Sequence, residues 1–387
     1  MPRFYAAAGA YAREVAESRR LADLIQDRLD RFLDLRAADL AAIAPELDEL
    51  AAAARDLLAG GKRFRARFCY WGWRSIADIP DPGDRFAEPV ARADLDAVIS
   101  IAAAIELLHA AALVHDDVID RSATRRGAPS AHERFAALHR AGGWVRDDGR
   151  FGAASAILLG DLLLGFADEL LSEGVAALEH RDRAAGVRAE FARMRAEVTV
   201  GQYLDVLEEH AWIAAPDAEA KRRAHRVVVY KSAKYSVEAP LALGAIAAGA
   251  DPQRLTALRE FGVPLGVAFQ LRDDLLGVYG DPQLTGKPAG DELREGKRTV
   301  LVALGREALP PSGRSLVDEL LGDPELTEEQ IGMLRRALVD CGAVDQVERA
   351  IAVNVERARA ALRRADLAPA ASRELGALAD AVSRRTA

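Results

Sequence analysis

Val98-Ile99-Ser100-Ile101-Ala102-Ala103-Ala104-Ile105-Glu106-Leu107-Leu108-His109-Ala110-Ala111-Ala112-Leu113-Val114-His115-Asp116-Asp117-Val118-Ile119-Asp120 is the stretch on which the fold turns. Its apolar part, Val98 to Val114, is the only stretch of the chain that suggests a membrane span. Glu106 and His109 interrupt it and three aspartates end it, so a buried central helix is the better reading. Carboxylates grouped at the end of an apolar helix repel one another and lose solvation, so a fold retains them only with something cationic between them. A second cluster, Asp273-Asp274-Leu275-Leu276-Gly277, also closes an apolar stretch. Each cluster is followed by a patch rich in Arg or Lys, and Mg²⁺ ions bridging to a diphosphate suit that pairing.

Working outward, the composition favours helix: 50% of the residues are hydrophobic, led by Ala and Leu, only 6% are aromatic, and long β-branched runs are scarce. The 387 residues could make two average domains, but a helical bundle of this length can be one unit. The expectation is an all-α, single-domain antiparallel helix bundle around a central cavity, spanning 1–387. A net charge of −8 gives no reason to expect nucleic acid or an anionic membrane as the main partner, so anion binding must be local. Cys69 and Cys341 are far apart and sit in helical patterns, which argues against a disulfide framework. The start, Met1-Pro2-Arg3-Phe4-Tyr5, has no apolar core of the secretory kind, and a cytoplasmic protein is expected.

Helical periodicity runs with breaks from Glu14 to Ala59, where Gly60-Gly61 ends it. A new helix is expected to open on Lys62-Arg63-Phe64-Arg65 and to stop at Pro80-Asp81-Pro82-Gly83, and the next runs from about Asp94 into the first cluster. Thr124 to Phe151 reads as an irregular, functional loop. Further helices are expected over 152–171, 181–212, 218–249 (interrupted by Pro240) and 252–279, and 281–297 reads as a Gly- and Lys-bearing loop suited to closing over a charged ligand. The two helix–cluster–basic-loop units share a layout, and antiparallel packing could bring both carboxylate ends to one mouth.

In a helix Asp116 and Asp120 project from one face, with Asp117 about 100° around. Two such carboxylates can hold a hard cation, although an isolated DDxxD string is more often a solvated helix end. The neighbours change the balance. Arg125-Arg126 can grip phosphate oxygens bidentately. Lys62, Arg63 and Arg65 sit at a helix N-terminus, where cations cost stability unless an anion offsets them. His109 lies two turns below Asp116; alone it is more often a satisfied core histidine, with a phosphate oxygen as the alternative partner. Lys231 and Lys234, Gln202 with Asp205, and Lys287, Arg294, Lys297 and Arg298 are weaker signals taken singly.

Together these strings closely resemble the trans-isoprenyl diphosphate synthases, the polyprenyl synthetase family, and within it bacterial geranylgeranyl diphosphate synthases. The matching strings are GGKRFR at Gly60–Arg65, LLHAAALVHDDVIDRSATRRG at Leu107–Gly127, GQYLD at Gly201–Asp205, YKSAKY at Tyr230–Tyr235 and FQLRDDLLGVYGDPQLTGKPAGDELREGKRT at Phe269–Thr299. The resemblance covers core motifs over 51–304 and leaves the C-terminal helices over 305–387 uninformative. It implies Mg²⁺ ligands at Asp116, Asp117, Asp120, Asp273 and Asp274. Arg125, Lys231, Ser232, Gln270, Lys287 and Lys297 would surround an allylic diphosphate, and Lys62, Arg65, His109 and Arg126 would bind isopentenyl diphosphate. Asp116, Asp117, Asp120, Arg125, Lys231, Gln270 and Asp273 would carry the catalysis. The resemblance also implies a homodimer without a membrane span, touching membranes at most peripherally through its greasy product.

Two departures stand out: Gly277 replaces the last Asp of the second cluster, and Ala66 replaces a common Pro. The residues one turn below Asp116 are Ala111 and Ala112, with Leu108 and Ile105 next, so the floor under a growing chain is open and a product of C20 or longer is expected. Rival readings are an HD-type phosphohydrolase, which leaves the basic strings unexplained, a class I terpene cyclase, and a non-catalytic subunit of a hetero-oligomeric synthase.

Overall fold

The computed structural model describes residues 2–77, 89–281 and 290–384, and these are almost wholly helical. In chain order the helices are α1 (Pro2–Ile43), α2 (Asp48–Leu58), α3 (Phe64–Ile76), α4 (Pro89–Asp120), α5 (Ala131–Ala141), α6 (Asp148–Ala176), α7 (Arg181–Ala211) and α8 (Ala220–Val227). A π-helical segment over Val228–Glu238 leads into α9 (Ala239–Ala247) and α10 (Pro252–Tyr279). A short α11 (Asp291–Glu295), then α12 (Val300–Ala308), α13 (Pro311–Leu320), α14 (Glu328–Asp340), α15 (Ala343–Arg364) and α16 (Pro369–Arg384) complete the chain. Strand pairing among the described residues is confined to a two-residue ladder, Thr124–Arg125 with Ala128–Pro129.

The opening stretch is the core of the bundle. Ala97, Val98, Ile101 to Ile105, Leu107, Leu108, Ala111 and Val114 of α4 are all at most 2% exposed, packed against α1, α3, α6 and α9. Such all-round burial explains why the segment is apolar on every face rather than on one stripe. The small residues are used for close approach: a Cβ at Gly244 on α9 would stand 1.8 Å from the Cys69 carbonyl oxygen on α3. α10, with the second cluster near its C-terminal end, packs against the π segment, α9 and α15.

Four expectations need correction. α3 opens at Phe64 rather than Lys62, because Arg63 takes a left-handed conformation (φ 47°) after two positive-φ glycines. The stretch 124–151 is not irregular throughout: it contains α5, an amphipathic helix burying Phe135, Ala136 and His139, whose flanking glycines mask its period. The stretch 218–249 is not broken at Pro240, which sits in the first turn of α9; the helix is instead widened to π geometry over eleven residues before it. Finally, α4 is not alone in being long and apolar enough to cross a membrane. α6 meets the same description, with only 33% of its apolar window buried against 83% for α4. Residues 282–289 lie outside the described residues, and Lys287 with them.

Candidate active site

The first cluster divides by helical face. Asp116 and Asp120 point into a chamber shared with α7 and the π segment, whereas Asp117, 1% exposed, turns aside and accepts from Arg125 Nε at 2.9 Å. Arg125 Nη2 also meets Asp117 and lies 3.6 Å from Asp116. Arg125 therefore has the Asp117 carboxylate as its direct partner and Asp116 within reach.

Two lysines lie between the chamber's carboxylates. Lys231 Nζ, from the π segment, donates to Asp116 at 3.1 Å and to Asp205 at 2.6 Å. Lys297 Nζ donates to Asp120 at 2.7 Å, Glu209 at 2.7 Å and Asp205 at 3.3 Å. Gln202 Nε2 donates to Asp116 at 2.9 Å. Gln202, Asp205 and Glu209 follow an i, i+3, i+7 spacing, one face of α7. Glu209 was missed in the sequence, where that spacing was its only signal. Gly201 makes this meeting of helices possible, since a Cβ there would stand 2.3 Å from the Lys231 backbone nitrogen. π segments recur at functional sites because they re-aim side chains along a helix; here Lys231, Ser232, Lys234 and Tyr235 all lie on one.

The charges are strongly coupled. Burial pushes the Asp116 pKa up, but Lys231, Lys297 and Arg125 outweigh it and hold it down to about 2. Asp120 moves the other way, to about 7, because burial and neighbouring Asp116 outweigh its two lysines. Burial disfavours the charged lysines, yet the carboxylates around Lys231 and Lys297 raise both above their ordinary values.

The second cluster repeats the division. Asp273 is exposed, while Asp274 is 5% exposed and accepts from Gln270 Nε2 at 2.7 Å. Gln270 thus supports a carboxylate from one turn below. Burial pushes the Asp274 pKa to about 7, with Asp273 and Asp205 adding to the rise against the Gln270 hydrogen bond. That Asp205 and Lys231 both act on Asp274 places the two clusters around one chamber.

A basic mouth adjoins it. Arg65 Nη2 donates to Ser236 Oγ at 2.9 Å, and its guanidinium lies 4.6 Å from the Tyr235 ring centroid. His109 Nδ1 is 2.7 Å from the Tyr235 hydroxyl. Burial, then Arg65, Arg126, Arg125 and Arg63, drive the His109 pKa well below its ordinary value, so the ring is neutral. Arg126, at φ 54°, sits beside the Gly60-Gly61 turn: its Nη1 would be 3.7 Å from a Cβ at Gly61. Lys62 is exposed. Arg63 does not join this mouth. It is 6% exposed and pairs with Glu106 at 3.2 Å, while the other Glu106 oxygen accepts from Ala66 N, also at 3.2 Å. The expected cost of cations at the α3 N-terminus is thus met from within by Glu106, which the sequence showed only as an interruption of an apolar run.

The donor set suits Mg²⁺ with a diphosphate. Hard carboxylate oxygens converge on positions where ammonium groups now neutralise them, and guanidiniums stand next door. Among the described residues no group of three or more His, Cys, Asp or Glu side chains is placed to hold a metal ion by itself; Mg²⁺ commonly takes one or two carboxylates and completes its octahedral shell with water and phosphate oxygens.

Comparison with known proteins identifies the family. The polyprenyl synthetase family model matches residues 47–338. A geranylfarnesyl diphosphate synthase of Aeropyrum pernix is 34% identical over 348 residues, 89% of this chain and 96% of its own length. A geranylgeranyl diphosphate synthase of Mycobacterium tuberculosis is 30% identical over 84% of this chain and 80% of its own. Among solved structures, geranylgeranyl pyrophosphate synthase from Corynebacterium glutamicum, complexed with isoprenyl diphosphate and magnesium, superposes with a TM-score of 0.86 at 36% identity, covering 95% of this chain and 99% of that one. The chain belongs to the polyprenyl synthetase family and is a prenyltransferase, a prenyl diphosphate synthase.

Proposed function

We propose that this enzyme condenses isopentenyl diphosphate head-to-tail with an allylic diphosphate, in the presence of Mg²⁺, to an all-trans prenyl diphosphate of C20 or longer, with geranylgeranyl diphosphate favoured. The observation that carries this reading is the adjacency of two oppositely charged half-sites: a carboxylate chamber that holds cations, and a guanidinium mouth that calls for an anion. One diphosphate with metal fits the first, and a second diphosphate fits the other. The Corynebacterium glutamicum relative, solved with isoprenyl diphosphate and magnesium, supports the same ligands here.

When bound, Mg²⁺ supplies positive charge that offsets the negative charge growing on the departing allylic diphosphate. Asp116, Asp120 and Asp273 are the residues that would hold it. Lys231 and Lys297, drawn toward carboxylates in the structure, would offer their ammonium groups to the phosphate oxygens of a bound diphosphate, and Arg125 stands within reach of the same group. Arg65, Arg126 and Lys62 hold isopentenyl diphosphate so that its double bond faces the allylic carbon. Apolar walls on α3, α4 and α10 keep water from the carbocation; the stacked Phe64 and Phe269 rings, 5.0 Å apart, belong to them. Neutral His109 positions the Tyr235 hydroxyl, and the departing diphosphate accepts the proton released at the end.

Product length follows from the floor below Asp116. Ala111 is fully buried and Ala112 half-buried, both small, with Leu108 beneath them. A tail descending α4 gains about one helical turn, about 5 Å, per isoprene unit, and two alanines offer no stop within the first turn. Ala111→Phe with Ala112→Phe shortens the product on chromatography; an unchanged length rejects the floor assignment.

The apolar α6, with Ile157 45% and Leu158 64% exposed, fits cover by a second copy of the chain in a homodimer rather than lipid, leaving only peripheral membrane contact through the product. A cytosolic setting suits Cys69 and Cys341, both free thiols. The deciding experiment incubates the purified chain alone with Mg²⁺, labelled isopentenyl diphosphate and each of the C5, C10 and C15 primers. Elongated prenyl diphosphate is expected. A cyclic hydrocarbon formed without isopentenyl diphosphate, or no turnover without a partner chain, overturns the reading.

A further inference from the structure

We propose that Glu292, on α11, supplies the carboxylate that the second cluster lacks at Gly277. A Cβ built on Gly277 would stand 2.1 Å from both Cδ and Oε1 of Glu292 and 2.6 Å from Oε2. The Glu292 carboxylate therefore fills the space into which any side chain at 277 would grow. An aspartate at 277 and Glu292 in its present place are mutually exclusive, so the glycine is the condition for a carboxylate to arrive from outside α10 rather than a sign of decay.

Its position on the helix gives the arrangement its meaning. Residues 273 and 277 are four apart and share a face, as Asp116 and Asp120 do on α4. In the first cluster both carboxylates of that i, i+4 pair come from one helix. In the second, α10 contributes Asp273 and α11 brings its carboxylate to the other place in the pair. The intervening Asp274 is directed to Gln270 and not to that face.

α11 is tied to both clusters. The Gly290 N–H donates to the Gly277 carbonyl at 3.3 Å, and Leu293 is buried to 2% exposure beneath it. On its far side Glu295 accepts from Ser122 Oγ at 2.8 Å, just past the first cluster. The Lys297 N–H donates to the Glu292 carbonyl at 3.1 Å while its ammonium reaches Asp120. Left-handed glycines, Gly290 and Gly296, end the helix on both sides and set its angle. One five-residue helix thereby carries Glu292 to the second cluster and leads into Lys297 at the first. A carboxylate held this way takes up metal charge beside Asp273 without any residue at 277. The inference rests on the prenyl synthase reading of the site.

The test measures Mn²⁺ binding by electron paramagnetic resonance in the presence of an unreactive bisphosphonate, alongside thermal unfolding of the metal-free chain. Glu292→Gln keeps the shape and removes the charge. It is expected to weaken bisphosphonate-dependent Mn²⁺ binding on the order of 10- to 100-fold, with the metal-free chain still unfolding cooperatively. Glu292→Ala combined with Gly277→Asp is expected to regain most of that affinity, because the carboxylate returns from α10. Wild-type affinity in Glu292→Gln overturns the inference, as does a double variant that folds but binds no better than Glu292→Gln. Failure of the wild-type chain itself to bind Mn²⁺ with the bisphosphonate rejects the underlying metal–diphosphate reading instead, so the two failures are distinguishable.

Discussion

The carboxylate chamber and the basic mouth are built from neighbouring segments of the same helices, yet they handle buried charge in opposite ways. In the chamber two lysines hold four carboxylates: Lys231 joins Asp116 to Asp205, and Lys297 joins Asp120, Asp205 and Glu209. Beside the mouth Glu106 pairs with Arg63 and also steadies Arg126, but burial together with Arg63, Arg125 and Arg65 outweighs it and weakens the hold of Arg126 on its own proton. The chamber can wait without ligand at little cost, because its lysines already offset its carboxylates. The mouth gains only when an anion arrives. Under the proposed function, a site with both properties would bind a metal-bearing diphosphate on one side and a metal-free one on the other.

The largest effect that can break this comparison is in the chamber. Asp116→Ala removes the carboxylate that meets Lys231, Gln202 and Arg125 together, and turnover is expected to fall about 10³-fold or more, as for other losses of transition-state charge stabilisation. A single-turnover assay that found substantial activity would end the assignment of Asp116.

Glu106→Ala tests the mouth through stability. It leaves the buried Arg63 charge without a carboxylate, with only Gln26 and the Leu58 carbonyl as acceptors, and takes the acceptor from Ala66 N, so unfolding by denaturant should show a loss of about 3–5 kcal/mol. A loss below about 1 kcal/mol, the range of surface pairs, would mean that Arg63 finds water and the mouth is more open than drawn.

Arg126→Ala should raise KM for isopentenyl diphosphate by roughly 10-fold or more, about 2 kcal/mol for a charged hydrogen bond, and leave the allylic KM nearly unchanged. Equal effects on both constants would merge the two half-sites into one.

The smallest effect is a pH dependence. Asp120 is raised to about 7 when folded, so between about pH 4 and 7 the native chain holds a proton that the unfolded chain has released. Its contribution makes metal-free stability fall as pH rises through that window and level off above it. Urea titrations of wild type and Asp120→Asn at pH 5.5 and 7.5 should show a smaller decline in the variant, and Mg²⁺ with a diphosphate should reverse the decline in wild type.

Much of this was legible in the chain because it is local. Apolar residues on every face of 98–114 mark a core helix, and the i, i+4 spacing of Asp116 and Asp120 sets their common direction before any neighbour is known. The helix α10 was readable to its ends, Pro252 and Tyr279; the structure shows Asp251 capping its start and Gly280 following its last turn. α5 was not, since glycines at 127, 142 and 143 dominate a window whose amphipathic part is only eleven residues. Nor was the π segment, because side-chain periodicity does not distinguish it from α-helix over so short a run.

The sequence by itself determined the helical class, the two clusters, the basic strings and the gap at Gly277, all of which depend on residue type and spacing along one element. Tertiary structure alone decided which charges meet. Asp117 belongs to Arg125, Arg63 to Glu106, and Asp205 and Glu209 to Lys297, across separations of 8, 43, 92 and 88 residues. Charge pairing is set by distance and desolvation in space, and neither quantity is written in linear order. The carboxylate of Glu292 standing against Gly277 is the sharpest case: the sequence shows an aspartate missing, and only the fold shows what fills its place.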